Sequence, residues 1–299
     1  MTHGTIYNPE IKNPRRTIGR RAFDFSRRVA VMAIINRTPD SFHDRGRTFA
    51  LDKALAAVDD ALAKGADWLD IGGVPFGPGP AVTVAEEIDR VAPLIEGARA
   101  RTDAVISVET YRPDVARAAF AAGADVLNNT SGLHDPALAD VVAEAGTGLI
   151  VTHSLADPRT PYPRPRYEDV VAEVAAFLRD RVALAEGRGV RPEDIIIDPG
   201  HDLNKNTYHS LELTRRLAEI ADIGYPLLVA VSNKDFIGET LDREQLARIE
   251  GTLATLVVSI MQGARIVRVH DVEEAVQAVR MVEGILGWRP PATARHNLV

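Results

Sequence analysis

Residues 31–46 read VMAIINRTPDSFHDRG. The first five are apolar, the sixth is Asn36, and a charged, turn-rich stretch follows. An unbroken apolar run of this length, stopped by a polar residue and turn formers, predicts a strand buried on both faces, as in a parallel sheet. Such a strand carries Asn36 to its C-terminal tip and opens into a loop. Leu51, Leu55, Val58 and Leu62 then recur at helical spacing until Gly65 stops the pattern.

Working outward, this strand–loop–helix plan repeats. Buried strands are predicted over 68–71, 104–108, 125–127, 148–151, 195–197, 227–231 and 264–269. Helices are predicted over 49–64, 84–98, 113–122, 136–145, 168–186, 206–221, 243–262 and 272–285. Thr83 and Glu86 have the spacing of a capping box. The stretches GADWLD, GADVLN and GARIVRV reuse one device, in which glycine ends a helix and a buried strand follows. Eight such units predict an α/β fold, a single-domain TIM (β/α)8 barrel spanning 29–287. A doubly wound α/β sheet is the alternative, weakened by the lack of GxGxxG after the first strand and of a P-loop. Residues 1–28, with Arg15, Arg16, Arg20, Arg21, Arg27 and Arg28, read as a loose basic leader that includes a short strand or bottom cap at 24–28. Residues 288–299 read as an unstructured tail.

Composition narrows the function. The chain has 299 residues, 45% hydrophobic and 26% charged, with no cysteine and a net charge of −7. Lack of cysteine excludes disulfides, thiolate metal sites and a cysteine nucleophile. The acidic balance argues against a nucleic-acid partner. Apolar runs stay below the roughly 18 residues of a membrane span, and the polar start lacks a signal-peptide pattern. The expectation is a cytoplasmic protein with no membrane partner.

In a barrel, polar residues at the strand C-termini share one mouth. Here they are Asn36, Asp70, Glu109, Asn128, His153, Asp198, Ser232, Arg268 and His270. Arg268 and His270 lie two apart and so share a face, which suits an anion; a structural ion pair with Asp271 or a neighbouring helix is the alternative. Asn36 offers a hard oxygen to Mg2+ or water. Glu109 and Asp198 bring carboxylates that adjacent N–H donors of a heterocycle would satisfy, and Asn128 supplies a donor and an acceptor. Alternatively, Asp198 only starts the turn at Pro199 and Gly200, and Glu109 only faces solvent. Lys234 serves a ligand carbonyl or phosphate, or pairs at the surface with Asp235 or Glu239. His201, Lys205 and His209 read as loop and helix-face residues, as do His43 and Asp44. No HExxH or histidine cluster points to zinc.

Several blocks, in order, resemble the dihydropteroate synthase family of pterin-binding barrels: MAIINRTPDSFHD, LDIGG with GPG, ISVETYRP, ADVLNNTSG, DPGHDLNKNTYHSLEL, VSNKDFIG and GARIVRVHDV. The resemblance covers about 30–285. Members condense 6-hydroxymethyl-7,8-dihydropterin diphosphate with p-aminobenzoate and release pyrophosphate, usually with Mg2+. It implies that Asn36, Arg268 and His270 hold the diphosphate, Asn36 also contacting Mg2+. Glu109, Asn128, Asp198 and Lys234 would hold the pterin. Asn36, Lys234, Arg268 and His270 would then carry catalysis, chiefly electrostatic. The stretch around His153 replaces the methionine usual at the pterin floor. Members are commonly dimeric, so a homodimer is implied.

The departures cluster on the catalytic loops. Arg37 replaces the valine of NVTPDSF. GGESTRPG becomes GGVPFGPG, placing Val74, Pro75, Phe76 and Gly77 where the family has Glu, Ser, Thr and Arg. Glu109 replaces an aspartate and is one methylene longer. Asn129 replaces the aspartate after the pterin asparagine. SRKSF becomes SNKDF, so Asn233 replaces an arginine, and Asp235 brings negative charge toward the p-aminobenzoate carboxylate, which disfavours that partner. GFGK becomes DLNK, so Leu203 replaces a phenylalanine and Asp202 and Asn204 replace glycines. The chain resembles the divergent second homologue of actinobacteria. The expectation is a pterin-binding protein, taking a pterin diphosphate-like molecule, with weak or absent condensation. An active synthase, or a related barrel with another second substrate, is the alternative.

Overall fold

Strand periodicity explains the architecture. Along each barrel strand, alternate side chains face the helices or the barrel axis. Val31, Leu69, Ile106, Leu127, Leu149, Ile197, Val229 and Val267 belong to the larger core, between sheet and helices. Met32, Trp68, Val105, Val126, Ile150, Ile196, Leu228 and Ile266 form a separate apolar cluster inside the barrel. Both faces are buried, which is why the strands read as apolar runs.

The computed structural model describes residues 7–36, 47–75, 77, 79–160 and 164–297, with backbone alone at 36 and 47–50. The chain forms β1 (Arg15–Ile18), β2 (Arg21–Asp24), β3 (Ala30–Asn36), α1 (Arg47–Ala63), β4 (Trp68–Gly72), α2 (Val84–Arg99), β5 (Val105–Glu109), α3 (Pro113–Ala121), β6 (Val126–Asn129), α4 (Ala137–Ala145), β7 (Gly148–Thr152) and α5 (Val170–Gly187). It continues with β8 (Ile195–Asp198), α6 (Thr207–Arg215), α7 (Leu217–Ala221), β9 (Leu227–Val229), α8 (Asp235–Leu241), α9 (Ile249–Met261), β10 (Ala264–Val269) and α10 (Val272–Ile285). Strands β3 to β10 close a parallel barrel, with β10 pairing β3. The predicted (β/α)8 barrel is therefore the fold. Thr83 and Glu86 form the capping box of α2.

Four local expectations change, the simplest being that the helix expected over 206–221 is two, α6 and α7, which meet at Arg216. Residues 15–24 are not loose: β1 and β2 make an antiparallel hairpin. Phe23 stacks on Phe25 at 5.5 Å and meets Trp68 edge-on at 5.7 Å, so the hairpin plugs the barrel bottom. Buried Arg16 fastens it, donating to the carbonyls of Lys12, Asn13, Glu193 and Ile195. In the tail, Trp288 is also held, its N–H on the Glu283 carbonyl at 2.8 Å and Arg265 4.7 Å above its ring. The helix expected over 243–262 starts only at Ile249, behind a short 3-10 turn at Gln245–Ala247; the separate α8 precedes it. Leu246, an apolar residue at helical spacing within that stretch, is 98% exposed.

Candidate active site

Two residues beyond the apolar inner layer, the same strands place Asp70, Ser107, Asn128, Thr152, Asp198 and Arg268. The layer changes from hydrocarbon to charge in one strand repeat, and it does so at the C-terminal mouth where barrel enzymes hold ligands. A cavity of about 80 Å3 lies above it, lined by Glu109, Asn128, Thr130, Asp198, Gly200, His201, Leu203, Ala230, Lys234 and Arg268. Five residues expected at the site from sequence thus meet around one space: Glu109, Asn128, Asp198, Lys234 and Arg268.

Arg268 is the hub. Its Nε donates to Asp70 Oδ2 at 2.6 Å and its Nη2 to Glu109 Oε2. Asn128 Nδ2 donates to the same Asp70 oxygen at 3.0 Å. Burial opposes the Arg268 charge, but Asp70 and Glu109 more than offset it and hold its pKa above the usual value. Burial raises Glu109, against the pull of Arg268. Glu109 therefore does not face solvent, and the Arg268 ion pair is with Asp70 and Glu109 across the barrel, not with Asp271. Two buried acceptors, Asp70 Oδ1 and Asn128 Oδ1, have no hydrogen-bond partner. Asp70 stood among the polar strand ends without a role; its position two residues after Trp68 was the signal that it faces the axis.

Asp198 does both things its sequence context allowed. Its Oδ1 accepts the Gly200 N–H at 2.8 Å, shaping the turn, and its side chain lines the cavity. Burial raises its pKa. Gly200 has φ +65°, and a Cβ there would meet the His153 carbonyl oxygen at 2.3 Å, so the turn requires glycine. Lys234 is not a surface lysine: its Nζ donates to the His201 carbonyl at 2.8 Å beside the cavity, and burial lowers its pKa. His270 stands apart at the exposed rim, with Nδ1 3.1 Å from Ser232 Oγ, and does not line the cavity.

In the turn that follows Asp198 lies a second polar knot. Lys205, read as a loop residue, is buried and donates to the carbonyls of Gly200 and Leu203 at 2.9 and 3.0 Å. Its Nζ also lies 2.9 Å from His153 Nδ1. Burial pushes Lys205 down to about 7 and His153 to about 2. Buried His201 meets Thr214 Oγ1 at 3.1 Å, and burial pushes it to about 3. His209 completes the α6 capping box with Asn206.

The altered positions are locally well satisfied. Asp202 and Asn204 have φ +63° and +55°, a region that Asp and Asn tolerate better than most residues. Asp202 Oδ2 accepts the N–H groups of Asp235 and Phe236 at the start of α8, and Asn204 Oδ1 accepts those of Leu155 and Ala156. Asn233, at φ +57°, donates to Asp271 and its carbonyl accepts from Arg248. Asp235 is 86% exposed and pairs with Arg248 at 3.0 Å. Asn129 is buried and accepts the Leu133 N–H at 2.7 Å. Val74 and Pro75 line a small pocket beside Glu109, and Arg159 donates to the Pro75 and Pro80 carbonyls. Gly77 is exposed. Asn36 closes β3 opposite Gly72; the expectations for its side chain, and those for Arg37, His43, Asp44 and Phe76, lie outside the described residues.

The architecture and mouth invite comparison with known barrels, and the model of the family described as pterin binding enzyme matches residues 32–270. The chain belongs to the pterin-binding enzyme family. The inactive dihydropteroate synthase 2 of Mycobacterium leprae is 46% identical over 281 residues, covering 91% of this chain and 95% of that one. Escherichia coli K12 dihydropteroate synthase is 39% identical over 257 residues, covering 86% and 91%. The solved structure of Xanthomonas albilineans dihydropteroate synthase with 4-aminobenzoic acid superposes with a TM-score of 0.84 at 37% identity, covering 91% of this chain and 98% of that one. The sequence resemblance thus names the right family, whose members similar to this chain include both a synthase and an inactive homologue. Among the described residues, no group of three or more His, Asp or Glu is arranged to hold a metal, and no helix is long and apolar enough to cross a membrane.

Proposed function

We propose that this protein binds a pterin at the barrel mouth and performs the condensation of 6-hydroxymethyl-7,8-dihydropterin diphosphate with p-aminobenzoate weakly or not at all. The observation that carries this reading is the engagement of Arg268 by Asp70 and Glu109. In the condensation reaction Arg268 would be the diphosphate ligand, with His270 at the rim. A guanidinium already bonded to two carboxylates has little attraction left for a third anion. The cavity is balanced by Lys234 and Arg268 against Glu109 and Asp198, and buried Asp70 tips the surroundings negative. That environment suits a heterocycle presenting N–H donors. Asn128 Oδ1 and Asp70 Oδ1, both buried without partners, support the same ligand. It does not suit a diphosphate.

The second substrate fares worse. Asn233 turns toward Asp271, and Asp235 carries its charge at the α8 terminus with Arg248 as partner. Both leave the p-aminobenzoate carboxylate poorly matched. Asn36 would hold Mg2+ through its amide oxygen, because this cation takes few protein oxygens and completes its shell with substrate phosphates and water. The position of Asn36 at the tip of β3, opposite Gly72 on the adjacent strand, is compatible with that cation. Bound there, Mg2+ would neutralise charge on the leaving pyrophosphate.

A homodimer and a cytoplasmic location belong to the same reading. Val258 on α9 and Met281 and Ile285 on α10 are exposed apolar residues that a second copy would cover. Calorimetry with 6-hydroxymethylpterin, its diphosphate with and without Mg2+, and p-aminobenzoate tests the proposal. Saturable pterin binding is expected, with little gain from the diphosphate, no response to p-aminobenzoate and no dihydropteroate in a coupled assay. Sustained dihydropteroate formation would overturn it.

A further inference from the structure

Among the described residues, a cavity larger than the one at the mouth lies elsewhere. A cleft of about 770 Å3 opens at the opposite end, between the β1–β2 hairpin and the segment that follows α10. Its volume falls within the roughly 300–1,000 Å3 of small-molecule sites, and the pterin reading makes no use of it. Five arginines and two carboxylates line it, a local excess of three positive charges in a chain of net charge −7.

The two carboxylates are already committed. Asp24 Oδ1 accepts from the Ser26 N–H and hydroxyl, and Oδ2 from Arg15 Nε. Glu283 is buried and accepts the Val29 N–H at 2.9 Å. Of the arginines, Arg16 is spent on four carbonyls and Arg28 on Asp67 at 2.6 Å, but the other three are less so. Arg15 uses only its Nε on Asp24 and is 80% exposed at the side chain. Arg27 and Arg289 stand 3.5 Å from Asp24 and Glu283, beyond good hydrogen-bond geometry, and are 64% and 48% exposed. Half-buried Trp288 adds an aromatic wall. Guanidinium forks match phosphate oxygens bidentately, and a planar base stacks on an indole.

We propose that this basal cleft binds a nucleoside oligophosphate, its phosphates on Arg15, Arg27 and Arg289 and its base against Trp288. The site joins the N-terminal hairpin to the C-terminal segment, so occupancy ties the two ends of the chain together. It is independent of the pterin site and stands or falls without it.

ATP is the probe, with adenosine as the uncharged control, on the full chain. The sequence has two tryptophans, and Trp68 is sealed in the core, so ligand-dependent quenching reports Trp288. Saturable heat and quenching with ATP are expected, accompanied by a rise in melting temperature. Arg27→Gln and Arg289→Gln alter exposed side chains and should leave the ligand-free melt unchanged while weakening ATP about tenfold each. Trp288→Phe should abolish the quenching and retain the heat. Lys234→Gln at the mouth should leave ATP binding intact. Lack of saturable binding, equal affinity for adenosine, full binding by the double arginine variant, or loss of binding in Lys234→Gln would each overturn the proposal.

Discussion

At the bottom of the barrel, Trp68, Val126, Ile196 and Ile266 pack against Phe23 and Phe25 from the hairpin. Two residues further along the same strands stand Asp70, Asn128, Asp198 and Arg268, of which Asp70 accepts from both Asn128 and Arg268 across the mouth. The contrast teaches that one strand frame supports two kinds of closure. The lower layer excludes water by packing. In the upper layer Asp70 already engages Arg268, and Glu109 engages it a second time. A site that satisfies its own charges folds well and leaves little binding strength for a charged substrate.

Trp68→Ala tests the lower layer most severely. Truncating a fully buried indole leaves a cavity that the plug cannot fill, so a loss of about 4 kcal/mol in denaturant unfolding is expected. Loss below about 1 kcal/mol would mean that the hairpin collapses into the gap and that the layer is not tightly packed.

Lys205→Met tests the polar knot in the turn after β8 through pH. The Lys205 pKa falls from 10.5 to about 7 on folding, chiefly because the ammonium is desolvated. Between these values the unfolded chain binds more protons, so stability rises with pH. The contribution is fully present above the unfolded pKa and is lost as pH falls through the folded one. Wild-type protein should therefore gain on the order of 3 kcal/mol between pH 7 and pH 10 relative to Lys205→Met. Parallel stability curves for the two proteins would contradict this.

Glu109→Asp addresses the mouth itself. Shortening the side chain by one methylene withdraws a carboxylate from Arg268 while leaving Asp70 in place. Pyrophosphate affinity should rise about tenfold, the worth of one charge-assisted hydrogen bond. Unchanged affinity in calorimetry would show that Glu109 is not what closes the arginine to anions.

Much of this was legible in the sequence. Apolar strand runs, glycine stops and polar strand ends were enough for the barrel, and they brought Glu109, Asn128, Asp198, Lys234 and Arg268 to one mouth. What escaped was long-range. The arginine-rich hairpin looked loose because only Ile18, Phe23 and Phe25 mark its buried side, and their partner Trp68 lies far along the chain. The burial of Lys205 depends on carbonyls that a turn aims inward. The break before α9 was hidden because Leu246 fits the helical period yet points to solvent. The Glu109–Arg268 bond spans 159 positions, which no local pattern encodes.

Asp202→Gly carries the smallest expected effect and separates binding changes from scaffold repair. The family glycine at this position suits φ +63°, and restoring it relieves the conformational cost of a side chain there. It also removes the carboxylate that accepts two N–H groups at the start of α8 and the bond between Ser210 Oγ and Oδ1. Loss of these acceptors outweighs the relief, so a net loss of about 1 kcal/mol is expected. Lys234, the residue before α8, takes its position from the same turn, and its Nζ reaches the His201 carbonyl. If the turn is merely braced by Asp202, pterin affinity measured by calorimetry should stay within about twofold of wild type, because Arg268, Asn128 and Asp198 are untouched. A larger fall in affinity than in stability would place Asp202 among the residues that aim Lys234, making the altered loop part of the binding site as well as of the scaffold.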